Sequence, residues 1–158
     1  MFNLYPNFLR NYAQIHFLIL NHLELFRPRT GDEGHEGFIP NLQSKFSTLH
    51  HTDMSKELID AVFSDSDFDQ DTRDFYSFIQ IQKYEPGDWI VPHHDSYAVT
   101  KLHLVTLTTS PYDGLCVATD GQIRRIDDEA GQYIDFPYDA PHWVDPVKFL
   151  RYSLVVGM

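Results

Sequence analysis

The pattern of apolar and polar positions changes once along the chain, near residue 71. Before it, apolar residues recur at helical spacing in two segments, which predicts helices over about Asn7–Phe26 and Asp53–Phe63. Thr52 or Asp53 is placed to cap the second helix. The segment Arg27–Pro40 between them contains two prolines and three glycines, which predicts a loop.

After residue 71 the pattern is one of short strands separated by turn residues, and the clearest turn signal is Asp120-Gly121, typical of a tight hairpin. Eight short strands at regular spacing predict a sandwich, barrel or jelly roll, with the helices packed outside one sheet. The predicted strands are about Phe75–Tyr84, Trp89–Asp95, Lys101–Thr109, Leu115–Thr119, Gln122–Asp127, Gln132–Phe136, His142–Val147 and Arg151–Val156.

Length and composition predict one domain. The chain has 158 residues and 42% hydrophobic residues, which suits a single core. We predict that residues 1–70 supply helical support and a loop, and that residues 74–158 form the β core. The most apolar stretch, Ile15–Leu20, is much shorter than the roughly 20 residues of a membrane span, and no signal peptide is evident. These features predict a soluble, cytoplasmic protein.

The charge of the chain disfavours nucleic acid as a partner. The formal net charge is −11, and the twelve Lys and Arg residues are scattered. Proteins that bind nucleic acid usually carry a basic face that contacts phosphates. The one cysteine, Cys116, allows no intrachain disulfide.

A candidate metal site lies on the second predicted strand, in the segment Val91-Pro92-His93-His94-Asp95. Side chains alternate between the two faces of a strand, so His93 and Asp95 share one face. His142, at the start of the seventh strand, is the natural third ligand. Two histidines and one carboxylate, with three positions left open, form the site of non-haem Fe(II) oxygenases.

Two other histidines compete for these roles. His103 alternates with apolar residues on the third strand and is a competing ligand. His94 replaces His93 if the strand register shifts by one residue, because such a shift exchanges the two faces.

A candidate site for a carboxylate lies on the last predicted strand, where Arg151 and Ser153 share one face. A guanidinium group holds a carboxylate through two parallel hydrogen bonds, and a nearby hydroxyl adds a third. The distal carboxylate of 2-oxoglutarate needs such a site. Tyr84, shortly before His93, can add a phenolic hydrogen bond. The alternative for Arg151 is a surface arginine on an edge strand.

Taken together, these residues resemble a known superfamily over the C-terminal half of the chain, from about Phe75. The order and spacing are those of the Fe(II)/2-oxoglutarate-dependent dioxygenases, in particular the prolyl-4-hydroxylase-like branch, and the matching residues are Tyr84, Gly87, His93-x-Asp95, His142 and Arg151-x-Ser153. The resemblance implies a mostly β protein with N-terminal helices, whose core is a double-stranded β-helix (a cupin-like jelly roll). It also implies iron ligation by His93, Asp95 and His142, and cosubstrate binding by Arg151, Tyr84 and Ser153.

The implied activity couples the oxidative decarboxylation of 2-oxoglutarate, to succinate and CO2, with hydroxylation of a substrate C–H bond. It requires Fe(II), 2-oxoglutarate and O2. The substrate is a peptidyl (prolyl-type) residue or a small molecule. Asp113-Gly114-Leu115-Cys116 stands where prolyl hydroxylases have a Gly-Gly-Glu-Thr-like segment, and the Arg-x-Ser ending is more typical of oxygenases that act on small molecules. Thr30–Phe38 is either a substrate lid or a disordered connection.

Two alternatives to the oxygenase stay open. The first is a cupin-like metalloprotein that keeps the three ligands but does not use 2-oxoglutarate. The second is a non-enzymatic jelly-roll module that binds a sugar or a partner protein. The sequence does not fix the oligomeric state, and no membrane association is expected.

Overall fold

The computed structural model describes residues 2–29, 43–95, 101–137 and 139–158. Helix α1 spans Tyr12–Ile19 and continues as a 3-10 turn over Leu20–Leu25. Helix α2 spans Lys56–Ser64, and a short helix α3 spans Gln70–Phe75. No helix within these ranges is long and apolar enough to cross a membrane.

The first helix is shorter than the predicted Asn7–Phe26 and ends in the 3-10 turn. The side chain of His22 holds this turn in place. The Nδ1 atom of His22 donates to the carbonyl oxygen of Leu18 at 2.9 Å, and its Nε2 atom accepts from the backbone of Ser55 at 3.0 Å. The buried imidazole therefore joins the 3-10 turn to the start of α2.

The other helices are capped by residues that the sequence pattern did not single out. Ser55, rather than Thr52 or Asp53, caps α2, and its hydroxyl accepts from the backbone of Leu58 at 3.2 Å. Helix α3 was not predicted. It begins after the acidic run, where the Asp69 carboxylate accepts from the backbone of Thr72 at 2.8 Å.

Eleven strands lie in the described residues. Eight of them, β4 to β11, correspond one to one with the eight predicted strands. The strands are β1 Asn3–Tyr5, β2 Arg27–Arg29, β3 Ser44–His50, β4 Phe78–Tyr84, β5 Trp89–His93, β6 Leu102–Thr106, β7 Ser110–Thr119, β8 Gln122–Asp128, β9 Tyr133–Asp135, β10 His142–Val144 and β11 Arg151–Gly157.

Strands β1 to β3 were missed because their sequences carry little strand signal. Strand β2 reads Arg-Pro-Arg, and only Phe46 and Leu49 are apolar in β3. Pairing with strands distant in sequence stabilises them: β1 pairs with β9, and β3 pairs with β4. The predicted loop Arg27–Pro40 thus begins as a strand. The candidate lid Thr30–Phe38 lies outside the described residues, and the division at residue 70 stays a prediction.

The strands form two layers joined by β3. The order is β1-β9-β6-β11-β4-β3-β5-β10-β7-β8, with β2 paired to β3, and the pairings between these strands are antiparallel. Strand β3 pairs with β4 through residues 47–50 and with β5 through residues 44–45, so the sheet turns from one layer into the other there. Strands β9-β6-β11-β4 form one layer and β5-β10-β7-β8 the other, which is a double-stranded β-helix. The predicted jelly-roll fold is confirmed.

Alternation along β4 and β11 creates two cores. Residues 79, 81, 152, 154 and 156 face the helices, whereas residues 84, 151 and 155 face the space between the layers. The core under the helices contains Leu9, Ile15, Leu18, Ile19, Leu49, Leu58, Val62, Ile79, Ile81, Val105, Leu154 and Val156. The core between the layers contains Phe46, Tyr84, Ile90, Leu104, Leu115, Val117, Ile126, Ile134 and Val144.

The predicted hairpin turn at Asp120-Gly121 is confirmed. It connects β7 to β8, and both residues have positive φ angles, 53° and 74°. This conformation belongs to a type I′ turn, which favours Asp or Asn followed by Gly.

Candidate metal centre and carboxylate site

The two candidate histidine ligands lie directly opposite each other in neighbouring strands. Strands β5 and β10 pair antiparallel, and His142 is the register partner of His93. Their ring centroids are 4.4 Å apart. Asp95 follows β5 two residues after His93, so its carboxylate meets both rings. The ligand atoms of the three residues all lie within 4.8 Å of one another.

Backbone hydrogen bonds orient both imidazoles. The Nδ1 atom of His93 contacts the carbonyl oxygen of Val91 at 2.8 Å, and that of His142 contacts the carbonyl oxygen of Ala140 at 2.9 Å. Because a carbonyl oxygen only accepts, each Nδ1 carries the proton. Both rings therefore direct Nε2, the atom that a metal ion would bind, toward Asp95.

The position of Asp95 fits a metal ion. Its Oδ2 atom lies 2.8 Å from His142 Nε2, and its Oδ1 atom lies 3.8 Å from His93 Nε2. A neutral imidazole nitrogen and a carboxylate oxygen both offer lone pairs, so this contact requires a proton or a metal cation. Burial, followed by repulsion from His142, lowers the pKa of His93 to about 4. That ring is neutral at pH 7 and available as a ligand.

The competing histidines do not belong to this cluster. His103 lies on the face of β6 that contacts the helices, where its ring packs against Phe68 and Tyr133. His94 is exposed, on the opposite face from His93. Of the residues that the structure describes, His93, Asp95 and His142 form the one group able to hold a metal ion.

Arg151 is buried in the layer that faces the triad, rather than exposed on an edge. It begins β11, between β4 and β6 in the sheet order, and its Nε atom donates to Asp128 Oδ2 at 2.9 Å. Burial raises the pKa of the Asp128 carboxyl, and the attraction of Arg151 opposes that shift. The Nη2 atom of Arg151 is buried with no hydrogen-bond partner among the described residues. A carboxylate bound there would satisfy it.

Tyr84 and Ser153 meet at one amide beside Arg151. Tyr84 is the register partner of Arg151, and Gln82 is the partner of Ser153. The Tyr84 hydroxyl donates to Gln82 Oε1 at 3.4 Å, and the Ser153 hydroxyl donates to the same oxygen at 3.1 Å. Burial raises the pKa of Tyr84 far above its ordinary value, although Arg151 opposes the shift, so its phenol stays protonated as a donor.

One cavity between the layers connects the triad with the arginine. Metal-site residues and carboxylate-site residues both line it, and apolar side chains fill the remaining wall. The lining residues are Arg29, Phe46, Phe78, Gln80, Gln82, Tyr84, Ile90, His93, Asp95, Leu102, Leu104, Leu115, His142, Trp143, Val144, Arg151 and Val155. A ligand in this space can therefore reach both sites.

Three residues of this site were not found from the sequence: Asp128, Gln82 and Arg29. The sequence did contain a signal for Asp128, because this residue stands two positions after Ile126 and therefore shares its face of the strand. These two residues are the buried positions of β8. A carboxylate at an inward-facing strand position usually needs a partner. Gln82 and Arg29 become recognisable only from pairing across the sheet.

Comparisons with known proteins support the fold. No protein-family model matches the chain, and no curated protein matches it. The carbocyclase SnoK from nogalamycin biosynthesis, a non-haem α-ketoglutarate-dependent enzyme, has a similar structure (TM-score 0.70, 10% identity) over 98% of this chain and 78% of SnoK.

Two prolyl hydroxylases are also similar in structure. One is the viral collagen prolyl hydroxylase of Paramecium Bursaria Chlorella virus-1, in its 2OG complex (TM-score 0.63, 15% identity, 99% of this chain and 94% of that one). The other, from Trichoplax adhaerens, is bound to a peptide fragment of the hypoxia inducible factor oxygen degradation domain (TM-score 0.66, 14% identity, 99% and 82%). At these identities the likeness establishes the double-stranded β-helix fold that these oxygenases share.

Proposed function

We propose that this protein is a non-haem Fe(II) oxygenase that uses 2-oxoglutarate and O2 to hydroxylate a substrate. The observation that carries the proposal is the shared cavity. It joins a two-histidine, one-carboxylate cluster to a buried arginine, one of whose donors has no partner in the part of the chain that the structure describes. The structurally similar proteins, which include 2-oxoglutarate-dependent enzymes, support the same reaction class.

In this proposal His93, Asp95 and His142 hold the iron. The backbone acceptors of Val91 and Ala140 fix the two rings with Nε2 directed at the metal position. When bound, Fe(II) supplies the O2 chemistry together with 2-oxoglutarate, and the three ligands leave positions open for both.

Arg151 holds the distal carboxylate of 2-oxoglutarate in the proposed complex. Its Nε atom is occupied by Asp128, so the Nη edge faces the ligand. The neutral Tyr84 phenol lines the same part of the cavity, and its hydroxyl, which donates to Gln82 at 3.4 Å in this structure, would turn from that amide to donate to the carboxylate. Ser153 reaches this site through Gln82, whose amide oxygen it shares with Tyr84.

A peptidyl residue of the prolyl type is the proposed substrate class, with a free small molecule as the second candidate. The prolyl hydroxylases among the similar structures, one with a bound peptide, favour the first. SnoK, a carbocyclase from nogalamycin biosynthesis, favours the second. Succinate formation from 2-oxoglutarate should be stimulated by proline-containing peptides if the first is correct, and by free amino acids or metabolites if the second is.

An anaerobic titration tests the reaction class. The metal-free protein is titrated with Fe(II) and then with 2-oxoglutarate, and the weak visible charge-transfer absorption of the iron chelate is recorded. We expect the absorption in the wild type and its loss in His142→Ala. The matched control is His94→Ala, which removes an exposed histidine adjacent to His93 and should retain the absorption.

The other outcomes separate the two alternatives. Fe(II) binding without any change on addition of 2-oxoglutarate would indicate a cupin-like metalloprotein. Failure of the wild type to bind Fe(II) would indicate a non-enzymatic jelly-roll module and would refute the proposal.

A further inference from the structure

A buried aspartate, Asp113, holds the stretch of backbone that leads into β11. Its Oδ1 atom accepts from the backbone of Lys148 at 2.8 Å, and its Oδ2 atom accepts from the backbone of Phe149 at 3.1 Å. These two residues lie three and two positions before Arg151. The Asp113 residue is 5% exposed, whereas both residues that it binds are exposed. One buried carboxylate therefore fixes the connection that precedes Arg151.

A bulge of three residues in β7, residues 111–113, turns Asp113 inward. Ser110 lies opposite Asp128 in the pairing of β7 with β8, whereas Gly114 lies opposite the residue that directly precedes Asp128. The three residues between these pairs therefore have no counterpart in β8. Bulges of this kind redirect a side chain without ending the strand. The bulge that presents Asp113 thus begins opposite the carboxylate of the buried ion pair.

The backbone and surface contacts of the bulge fit the same role. A Cβ atom at Gly114 would overlap the carbonyl oxygen of Ile126, so the return of the bulge to the sheet requires glycine. On the outside, the ring of Tyr112 lies 5.8 Å from that of Phe149, and the Lys148 Nζ atom lies 5.4 Å from the Tyr112 centroid. The bulge therefore contacts the connection with a buried carboxylate and with an exposed ring.

Asp113 affects the site around Arg151 in two ways that have opposite signs. Burial raises the pKa of the Asp128 carboxyl, Arg151 opposes that shift, and the negative charge of Asp113 adds to it, so this charge acts on the ion pair. Through its charge alone, Asp113 would repel an anionic ligand of Arg151. Through its two backbone hydrogen bonds it fixes the connection, which favours binding because a site that is already ordered loses less entropy.

We propose that Asp113 is a positioning residue for the cosubstrate site, which holds the start of β11 so that the Arg151 guanidinium meets the distal carboxylate of 2-oxoglutarate. This inference rests on the proposed function. Binding groups need to be held within about 0.5 Å of their productive geometry. It assigns a role to the segment Asp113-Gly114-Leu115-Cys116, in which the chain departs from the prolyl hydroxylases.

The test compares two ligands in two variants that each lose one negative charge. Binding of 2-oxoglutarate and of pyruvate, a 2-oxo acid without the distal carboxylate, is measured by anaerobic calorimetry on Mn(II)-loaded protein. In Asp113→Asn the amide nitrogen cannot accept, so one of the two backbone donors loses its acceptor. We expect 2-oxoglutarate to bind about 10-fold more weakly, the loss typical of a hydrogen bond to a charged group. Pyruvate binding should not change.

The matched control is Asp127→Asn. The charge of Asp127, like that of Asp113, raises the pKa of Asp128, so the two variants remove similar charges from the site. The Asp127 carboxylate pairs with exposed Arg125 at 2.8 Å instead of holding the connection. This variant should bind 2-oxoglutarate at least as tightly as the wild type does.

Three outcomes would overturn the inference. Tighter binding of 2-oxoglutarate by Asp113→Asn would show that Asp113 acts through its charge. Unchanged binding by the folded variant would show that Asp113 supports the fold alone. An equal loss of affinity for both 2-oxo acids would place its effect at the metal end of the cavity. A wild type that binds Mn(II) but neither 2-oxo acid would instead refute the proposed function itself.

Hydrogen exchange of the wild-type protein tests the contact without a variant, in case Asp113→Asn does not fold. The amide protons of Lys148 and Phe149 should exchange as slowly as those of β11, because both are donated to a buried carboxylate. Fast exchange of both amides, while β11 stays protected, would show that Asp113 does not hold the connection and would overturn the inference.

Discussion

Removing one partner of the buried Arg151–Asp128 ion pair should destabilise the protein strongly, whereas removing both should not. The two side chains are 2% and 1% exposed, and they meet at 2.9 Å. Asp128→Val leaves an unpaired guanidinium in the interior, and Arg151→Met leaves an unpaired carboxylate. The double variant leaves no charge behind.

The magnitude follows from the cost of burying charge. Breaking a buried pair by removing one partner costs about 3–5 kcal/mol, whereas replacing both partners with apolar residues is often neutral or stabilising by about 1–4 kcal/mol. Two observations place this pair in that class. Arg151 Nη2 and Asp128 Oδ1 are buried without hydrogen-bond partners in the described residues. Burial raises the pKa of Asp128 even though Arg151 is adjacent, so desolvation outweighs the attraction.

Urea unfolding of the metal-free protein at pH 7 measures the effect. With a slope of about 2 kcal/mol per molar urea, a loss of about 4 kcal/mol lowers the midpoint by about 2 M. We expect this drop in each single variant and a midpoint close to that of the wild type in the double variant. The double variant should also lose 2-oxoglutarate binding while it keeps Fe(II) binding.

Additive behaviour would refute this reasoning. If the double variant is as unstable as the sum of the single variants, the two residues act independently and the pair has no special role. If either single variant loses less than about 1 kcal/mol, the charge left behind is not buried in solution. If Arg151 binds the cosubstrate as proposed, the pair would orient its guanidinium for that ligand at a cost in stability.

Two further predictions concern the supporting structure. Ser55→Ala removes the cap of α2, whose hydroxyl accepts from the Leu58 backbone at 3.2 Å, and should cost about 1 kcal/mol in urea unfolding, with exposed Ser77→Ala as control. The second prediction concerns His103, which is buried. Burial lowers the pKa of its ring from an ordinary 6.5 to about 4. Between these two pH values the ring is therefore protonated in the unfolded state and neutral in the folded state. The free energy of unfolding should therefore fall as pH decreases from about 6.5 toward 4. The urea midpoint of His103→Leu should depend less on pH across that window than the midpoint of the wild type. An equal pH dependence in both proteins would show that His103 is not responsible.

Period-2 alternation explains why most of the fold and the triad could be predicted from the sequence. The pattern of β4 to β11 is strong because these strands pack apolar side chains on one or both of the two cores. The same alternation assigned His93 and Asp95 to one face, and the structure brings both to His142. It also placed Arg151 and Ser153 on one face of the last strand, where the structure buries both side chains. Their roles as metal and cosubstrate ligands stay predictions that the titration tests.

Residues whose placement depends on pairing between distant segments could not be predicted. Strand β2 consists of two arginines and a proline, a composition without strand signal, and it forms because β3 lies beside it. Arg29 therefore falls within the predicted loop Arg27–Pro40, although its side chain lines the cavity. Helix α3 was also not predicted, because the acidic run at its start is typical of a turn. In the structure the Asp69 carboxylate of that run caps the helix.

The meeting of the metal and carboxylate sites follows from the nested pairing of the jelly roll. Strand β4 pairs with β11, β5 with β10, β6 with β9 and β7 with β8, so the chain folds as one long hairpin about Asp120-Gly121. His93 lies nine positions after Tyr84, and Arg151 lies nine positions after His142. The two connections are equal in length, and His93 lies opposite His142 as Tyr84 lies opposite Arg151, although the register of β5 and β10 shifts between His142 and Val144. Insertion of one residue within β5 or β10 would turn every later side chain of that strand to the opposite face. The triad and the arginine would then no longer share one cavity.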